Sequence, residues 1–246
     1  MQLVILAAGR GVRLGWHSHN IPKSLVTIQD QPYLAYQLRA FDRFPWSQKF
    51  IVGGFGISFL RDFFRNYTNM NYEVLENIDF LKGNLYTLKT AQAVLTESFF
   101  VFNADHYYSL ENYKKIFATP PHKITIFCDR DRTLTDDDMK VKTKAVKADV
   151  AHLVTMSKTL ADYDFGYVGV TYIPQNSMAK YWAAVTATAT ELGDKANVEQ
   201  VLNTLANQGE AIEIRDISGS WWTEIDTPED LQNARDVILK NQKSTS

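Results

Sequence analysis

The N-terminal segment constrains the fold of this chain most strongly. It begins with the apolar run Leu3-Val4-Ile5-Leu6 and passes directly into Ala7-Ala8-Gly9-Arg10-Gly11. A short run of Leu, Val and Ile without alternating polar residues is typical of a parallel strand that is buried on both faces. Gly9 and Gly11 then allow the backbone to turn sharply and to approach an anion closely, because neither carries a Cβ. The segment predicts a buried first strand that ends in a tight, phosphate-binding loop.

Three cationic residues lie in or near this loop. Arg10 and Arg13 belong to it, and Lys23 follows in the segment Pro22-Lys23-Ser24-Leu25. Such side chains, together with loop N–H groups, bind phosphate oxygens, so a triphosphate suits the site. Two common glycine-loop motifs do not fit. The dinucleotide pattern requires a third glycine where Leu14 stands, and the Walker loop requires Gly-Lys-Ser/Thr, whereas Lys23 follows a proline.

Composition excludes several classes of protein. The 246 residues are 45% hydrophobic and no linker rich in Pro, Gly or Ser divides them, so one large α/β core is expected. A formal net charge of -2 gives no general basic surface for nucleic acid. Cys128 is the only cysteine, which excludes internal disulfides and a cysteine-based zinc cluster. No segment has the length of a membrane span, and residues 1–8 run into the first strand instead of forming a cleavable signal. A cytoplasmic protein is therefore expected.

Apolar strand-like segments alternate with helical ones along the chain. This alternation is typical of βαβ crossovers and predicts a Rossmann-like α/β fold with a mixed, mainly parallel sheet flanked by helices. The charged segment around 129–150 has mixed signs and no interleaved aromatic residues, so it is expected to be a solvated loop and hairpin inserted in a single domain spanning 1–246. The predicted strands lie near 3–6, 50–53, 72–75, 99–102 and 124–128, and the predicted helices at about 32–43, 57–66, 84–96 and 109–117.

An aspartate follows the apolar run Phe99-Phe100-Val101-Phe102, in the sequence Asn103-Ala104-Asp105. The carboxyl end of a strand in an open parallel sheet is where ligands bind, so Asp105 is well placed for a functional role. One alternative is that Asp105 caps the next helix. Ser109 can serve as that cap instead.

A second aspartate, Asp226, lies near the C-terminus, after the short apolar segment that starts at Trp221. Thr227 and Pro228, with Asp230 at the third helical position, predict the start of a helix. Asp226 therefore lies just before a helix and at the end of a short strand, much like the first aspartate. The alternative is that it only interacts with the helix dipole, a role that the acidic residues of the first helical turn already fill.

Together these motifs resemble those of the nucleotidyltransferases that make sugar nucleotides and CDP-alcohols. That family carries L-A-A-G-x-G-x-R-L followed by P-K-S/P-L, and later W-x-E/D-I-D-T-P-E-D-L, and the resemblance covers nearly the whole chain. It implies a GT-A type fold, a loop and an arginine that grip a nucleoside triphosphate, and a lysine that neutralises charge on the reacting phosphates. It also implies Mg²⁺ bound by Asp105 and Asp226. The implied catalytic residues are Lys23, Arg13, Asp105 and Asp226.

The resemblance also implies where the nucleotide binds. For Gly83 a simple helix N-cap is an equal alternative. His17, Ser18, His19 and Ser24 are expected to be loop residues at the phosphate rim and not catalytic nucleophiles or bases, because no oriented partner is apparent. The expected nucleotide-binding residues are Leu6, Ala7, Ala8, Gly9, Arg10, Gly11, Gly83, Asn84 and Asn103.

The middle of the chain, at 138–141, 157–158 and 165–170, resembles the cytidylyltransferase branch that activates small phosphorylated alcohols such as phosphocholine, inositol phosphate or phosphonates. This implies CTP and a small phosphorylated acceptor as partners, with no nucleic acid and no membrane. Aromatic rings could hold a cationic head group such as choline; core packing or a homodimer interface is the alternative. Lys140 could bind the acceptor phosphate or be an exposed hairpin residue. The expected acceptor-binding residues are Lys140, Tyr108, Tyr163, Trp221 and Trp222.

Single residues distinguish some of the other functions that occur on the same fold. Transfer of UMP, GMP or dTMP to a sugar 1-phosphate is the first alternative. Glycosyltransferases usually carry an Asp-x-Asp motif, and Asn103 replaces its first acid here. A catalytically inactive nucleotide-binding regulator would be expected to lack Lys23 or one of the aspartates, and all are present.

Overall fold

The structure is a computed structural model that describes residues 1–18, 20–67, 71–118, 120–147 and 150–243. Its strands are β1 Gln2–Ala7, β2 Thr27–Ile28, β3 Gln31–Pro32, β4 Gln48–Gly53, β5 Tyr72–Glu76, β6 Phe99–Asn103, β7 His106–Tyr108, β8 Thr125–Asp129, β9 Lys140–Lys147, β10 Val150–Ser157, β11 Phe165–Ile173, β12 Glu213–Asp216 and β13 Trp222–Glu224. Its α-helices are α1 Tyr33–Phe41, α2 Ile57–Tyr67, α3 Asn84–Thr90, α4 Leu110–Phe117, α5 Met178–Leu192, α6 Val198–Asn207 and α7 Pro228–Lys243.

A nine-stranded mixed sheet lies at the centre, in the order β5-β4-β1-β6-β11-β8-β12-β10-β9. Strands β5, β4, β1 and β6 pair in parallel, as do β8 and β12. The pairings of β9, β10 and β11 are all antiparallel. The expectation of a mainly parallel sheet is therefore correct only for the half that contains β1. In the other half, β9 and β10 are consecutive strands joined by a short connection, which imposes antiparallel pairing.

The first strand is buried along its whole length, as predicted. Val4 and Leu6 pack into one half of the core together with side chains of α3, α5 and α6. Leu3 and Ile5 pack into the other half with side chains of α1, α2 and α4. Because successive side chains of a strand point to opposite faces, helices on both faces require an apolar residue at every position.

The predicted elements of the first half lie close to the observed ones, with one clear difference. The helix expected over 84–96 ends at Thr90, and the chain continues as turns in which Ala91 and Val94 donate to carbonyls three residues earlier. The charged segment forms a loop through Met139 and then β9, which pairs with β10; residues 148–149 between them lie outside the described ranges. Within those ranges, no helix is both long and apolar enough to cross a bilayer.

Candidate active site

The turn that carries Asp105 is held in place by α1. The buried amide of Gln37 donates from Nε2 to the backbone oxygens of Asn103 and His106, at 2.9 and 2.8 Å. These two carbonyls flank Asp105 on either side, so the turn between β6 and β7 is fixed by one side chain. The cap of α4 is Ser109, whose Oγ accepts from the backbone N–H of Asn112 at 3.0 Å. Helix capping is therefore excluded as the role of Asp105, as expected.

The helix start predicted after Asp226 is confirmed. The carboxylate of Asp230 accepts from the backbone N–H groups of Asp226 and Thr227, at 3.1 and 2.9 Å, and from the Thr227 hydroxyl at 2.9 Å. The Thr227 Oγ1 in turn accepts from the backbone N–H of Asp230 at 3.2 Å. This reciprocal cap satisfies backbone donors at the beginning of α7 and fixes the residue that precedes it.

The strand that leads to Asp226 is not part of the main sheet. β13 pairs with β7 in a separate two-stranded sheet, in which Glu224 lies opposite His106. Tyr33 on α1 holds this strand, because its hydroxyl donates to the backbone oxygen of Thr223 at 3.1 Å. Asp226 thus follows a short strand, as expected, but this strand lies outside the main sheet that carries Asp105. Asp226 reaches the site through the pairing of β13 with β7.

All four predicted catalytic residues meet at one point. The ammonium of Lys23 donates to Asp105 Oδ2 at 2.6 Å and also to Asp226 Oδ1, 203 residues away in sequence. Arg13 reaches the other oxygen of Asp226 from Nη2 at 2.6 Å, and its Nη1 donates to Asp137 at 2.9 Å. Lys23 is only 9% exposed. The two distant carboxylates therefore share one buried cation beside the glycine loop.

The charges of this cluster reinforce one another. Burial lowers the pKa of Lys23, but the carboxylates of Asp105 and Asp226 outweigh this effect and raise the pKa above its ordinary value. Burial raises the pKa of Asp105, but Lys23 and His106 outweigh this and hold the pKa well below its usual range. Lys23 is thus a permanent cation near neutral pH and is not suited to act as a general base.

The glycine loop is packed against Lys23. Gly11 has a φ of +65°, and a Cβ built on it would lie 2.9 Å from the Lys23 Cβ, so its position requires glycine. The Ser18 hydroxyl donates to the Gly11 carbonyl at 2.5 Å, which supports the loop role expected for Ser18. Arg10 lies with its guanidinium 5.5 Å from the centre of the Phe55 ring. His19 lies outside the described residues.

A small cavity of about 40 Å³ lies between the end of β1 and the Lys23–Asp105 pair. Ser24 is among its lining residues, and the buried Ser24 hydroxyl has no hydrogen-bond partner within the described part of the chain. A buried polar atom without a protein partner commonly marks the place of a water or ligand atom. The residues that line the cavity are Leu6, Ala7, Gly9, Lys23, Ser24, Ala104 and Asp105.

Gly83 and Asn84 are anchored to the segment that starts α6. A Cβ on Gly83 would lie 2.0 Å from the backbone oxygen of Ala196, and Gly83 is the N-cap of α3. The Asn84 Oδ1 accepts from the backbone N–H of Val198 at 2.8 Å. Helix capping and close packing thus explain why a glycine stands at position 83, without any contact with a ligand. Contact of Gly83 or Asn84 with a nucleotide stays a prediction.

Two of the predicted acceptor-binding aromatics do not face the site. Tyr108 is fully buried in the core and its hydroxyl donates to the backbone oxygen of Val168 at 2.5 Å. Trp221 packs against Tyr107 on the other side of the two-stranded sheet, where it lines a cavity of about 570 Å³ that lies away from Lys23. The expectation is wrong for Trp221, because neighbouring side chains of a strand alternate between faces and Trp221 takes the face opposite to that of Trp222. It is wrong for Tyr108 because this ring, although it shares the face of Trp222, is completely covered by the core.

Trp222 does lie beside the cluster, but other side chains of the protein already contact its ring. It stacks on His106 with the ring centres 5.6 Å apart and the planes 4° from parallel. Its Nε1 donates to Asp129 Oδ2 at 2.8 Å, and the guanidinium carbon of Arg132 lies 4.7 Å from its centre. A cation of the protein thus makes the ring contact that a choline-like head group would need.

Lys140 is buried and not an exposed hairpin residue. Its ammonium donates to the backbone oxygens of Thr135 and Lys158, at 2.7 and 2.8 Å, and so supports the loop that precedes β9. Tyr163 is exposed, with its ring centre 5.9 Å from the same ammonium. Contact of Lys140 or Tyr163 with an acceptor stays a prediction.

Sequence reasoning missed His106 and Glu224. The Nδ1 of His106 lies 2.6 Å from Asp105 Oδ1, and its Nε2 lies 3.7 Å from Glu224 Oε2. Burial raises the pKa of Glu224 to about 7 against the opposing charge of His106, and Asp105 and Asp226 add to the rise. The available signals were the position of His106 directly after Asp105 and that of Glu224 two residues before Asp226.

Comparison with known proteins identifies the family of the chain. The family model of the MobA-like NTP transferase domain matches residues 3–162, more than half of the chain. The chain belongs to the MobA-like NTP transferase family. The predicted resemblance to nucleotidyltransferases is thereby confirmed.

The curated relatives of this MobA-like domain are longer than the chain itself. The bifunctional IPC transferase and DIPP synthase of Archaeoglobus fulgidus is 23% identical over 239 residues, which cover 97% of this chain and 44% of that protein. The chain thus spans about half the length of the curated relatives it matches.

Solved structures share the fold. The inositol-1-phosphate CTP transferase of T. maritima superposes with a TM-score of 0.81 at 19% identity, covering 97% of this chain and 95% of the other. The CTP:phosphocholine cytidylyltransferase of Streptococcus pneumoniae gives 0.71 at 18% identity, covering 96% and 98%. UDP-glucose pyrophosphorylase has the same fold, with a TM-score of 0.80. The predicted nucleotidyltransferase fold is therefore confirmed.

Proposed function

We propose that this chain is a Mg²⁺-dependent cytidylyltransferase that joins CMP from CTP to the phosphate of a small phosphorylated alcohol. The observation that carries the proposal is the meeting of Lys23, Asp105 and Asp226 beside the glycine loop. An oxygen of the acceptor phosphate would attack the α-phosphorus of CTP while the bond to the β-phosphate oxygen breaks. The products are a CDP-alcohol and pyrophosphate.

The side chains at the cluster fit a divalent cation. Mg²⁺ prefers hard oxygen donors, and Asp105 Oδ2 and Asp226 Oδ1 both bond to one nitrogen, so they lie side by side. Ser24, whose buried hydroxyl has no hydrogen-bond partner within the described residues, lines the cavity beside these carboxylates. Asp105 and Asp226 would hold the ion. When bound, it would neutralise negative charge on the reacting phosphates.

The residues of the chain supply position and charge. Lys23 stays protonated and offers a buried ammonium, and Arg13 and Arg10 bring guanidinium groups to the rim of the loop. Two anions repel each other, so their reaction requires such neutralisation and close alignment. The acceptor phosphate is itself the nucleophile, and no side chain has to form a covalent intermediate.

Arg132 and the relatives support one class of acceptor. Arg132 covers Trp222, which disfavours the binding of a quaternary ammonium on that ring. The relatives named for inositol-1-phosphate CTP transfer and IPC transfer support CTP as donor and a polyol phosphate as acceptor. We therefore rank polyol phosphates above phosphocholine. A cytoplasmic location is part of the proposal, since both substrates are water-soluble metabolites.

A sugar 1-phosphate nucleotidyltransferase is the second candidate, because UDP-glucose pyrophosphorylase shares the fold. A matrix of CTP, UTP, GTP and dTTP against inositol 1-phosphate, phosphocholine and glucose 1-phosphate separates the two, with pyrophosphate release as the readout. The Asp105→Asn variant is the matched control. Fastest release from CTP with inositol 1-phosphate supports the proposal. Fastest release from UTP with glucose 1-phosphate supports the second candidate, and release with no pair contradicts both.

A further inference from the structure

His106 lies between two acidic side chains of the site. It is 5% exposed, with Nδ1 at 2.6 Å from Asp105 Oδ1 and Nε2 at 3.7 Å from Glu224 Oε2. The carboxylate of Asp105 can only accept, so Nδ1 carries the proton of the shorter contact. His106 is therefore a donor to the same carboxylate whose other oxygen receives the Lys23 ammonium.

The imidazole of His106 is held on several sides. It stacks on Trp222 with the planes 4° from parallel, and on Tyr108 at a ring distance of 6.3 Å. Across from it, Gly169 on β11 has a φ of +78°, and a Cβ built there would lie 2.9 Å from the His106 Nε2 and 3.0 Å from the Asn103 Nδ2. The absence of a side chain at Gly169 thus leaves the space that the ring fills.

This arrangement determines the orientation of the Asp105 carboxylate. The terminal torsion of an aspartate is broad, so an unsupported carboxylate turns freely about it. In this site Oδ1 is held by His106 and Oδ2 by Lys23, and both oxygens are accounted for. Removal of His106 would free Oδ1 and leave the carboxylate held at one oxygen.

We propose that His106 is a positioning residue, which orients the Asp105 carboxylate toward the bound cation and the reacting phosphates through its Nδ1–H bond. The inference rests on the proposed function, in which Asp105 is a metal ligand. Side chains that bond to the far oxygen of a ligand act in this way at other metal centres, and their loss costs about 10 to 100-fold in metal affinity or activity.

Three substitutions of His106 separate the effect of its Nδ1–H hydrogen bond from the effect of the ring volume. His106→Asn places an amide N–H near the position of Nδ1, His106→Gln places one near Nε2, and His106→Ala removes both. Mn²⁺ binding to the protein with CTP, measured from the electron paramagnetic resonance of free Mn²⁺, reports the metal site without turnover. We expect His106→Ala and His106→Gln to weaken Mn²⁺ binding about 10-fold or more, and His106→Asn to restore most of it.

Equal weakening by all three substitutions, or wild-type binding in His106→Gln, would overturn the proposal. The result does not depend on the identity of the acceptor, because no acceptor is present. Failure of the proposed function would show separately, as wild-type protein that binds Mn²⁺ but transfers no nucleotide to any acceptor tested.

A second variant approaches the ring from β11. Gly169→Ala keeps His106 but introduces the Cβ that would displace its Nε2, so it should weaken Mn²⁺ binding as His106→Ala does. Gly209→Ala is the control, because Gly209 also has a positive φ, +85°, but has no atom within 4 Å of its built Cβ. Mn²⁺ binding reduced equally in both variants would assign the effect to backbone strain and overturn the role of the ring.

Discussion

Replacement of Lys23 by methionine should damage both stability and turnover, and the two effects should respond differently to Mg²⁺. The substitution removes the cation shared by Asp105 and Asp226 and leaves two carboxylates facing each other. Removing one partner of a buried ion pair costs about 3–5 kcal/mol. The carboxyl side chains are 25% and 23% exposed, so solvent screening reduces the expected loss to about 1–3 kcal/mol.

Mg²⁺ should restore part of this stability, because a carboxylate pair without its lysine binds a divalent cation more tightly. Turnover should not recover. Loss of one preorganised cationic donor lowers kcat by about 10²-fold or more, since charge builds on the reacting phosphates during transfer. The assays are urea unfolding with EDTA and with saturating Mg²⁺, and steady-state kinetics. An unfolding midpoint equal to wild type in EDTA, or a raised KM for CTP with unchanged kcat, would refute the reasoning about Lys23.

Four further predictions follow from the same site and its core. Asp105→Asn should abolish turnover while thermal unfolding stays cooperative, and a nucleotide complex should show Asp105 and Asp226 at about 2.0–2.1 Å from a shared Mg²⁺. The pKa of Asp105 is lower in the folded state than in the unfolded state, so the ionised carboxylate stabilises the fold above about pH 4 and this contribution is lost as the pH falls. The Asp105→Asn variant should therefore lose less stability in acid than the wild type, which unfolding at a series of pH values will measure. Gly11→Ala should lower stability by about 1–3 kcal/mol, because the residue has a positive φ and its Cβ would contact Lys23, which thermal unfolding will measure. Cys128 is fully buried and burial raises the pKa of its thiol, so iodoacetamide should label it only on unfolding, as mass spectrometry will show.

The parts of the fold that were predictable from the sequence depend on local signals. The continuous apolar run of β1 reflects burial on both faces, and the Thr227–Asp230 pair begins α7 through bonds within one turn. Gly11 was identified as a loop glycine, and the structure adds the reason, which is its contact with Lys23. Each of these features is determined by residues close in sequence.

The parts that were not predictable depend on long-range pairing. Trp221 and Trp222 are adjacent in sequence, yet only Trp222 meets the cluster, because pairing of β13 with β7 decides which face each ring takes. Burial of Tyr108 and the contact of His106 with Glu224 follow from the same short sheet. A three-residue strand is too short for its sequence pattern to show which side chains face the site. The sequence therefore held no local signal against the hypothesis that these aromatic rings bind a cationic head group.

The central claim is that nucleotidyl transfer takes place where Lys23, Asp105 and Asp226 meet. Phosphorus NMR of wild-type protein with CTP, inositol 1-phosphate and Mg²⁺ tests it most directly, because it distinguishes the phosphate products. We expect pyrophosphate and a new diphosphate diester in equal amounts, and neither product with Asp105→Asn. Release of inorganic phosphate without the diester, or formation of the diester by Asp105→Asn at the wild-type rate, would contradict the account.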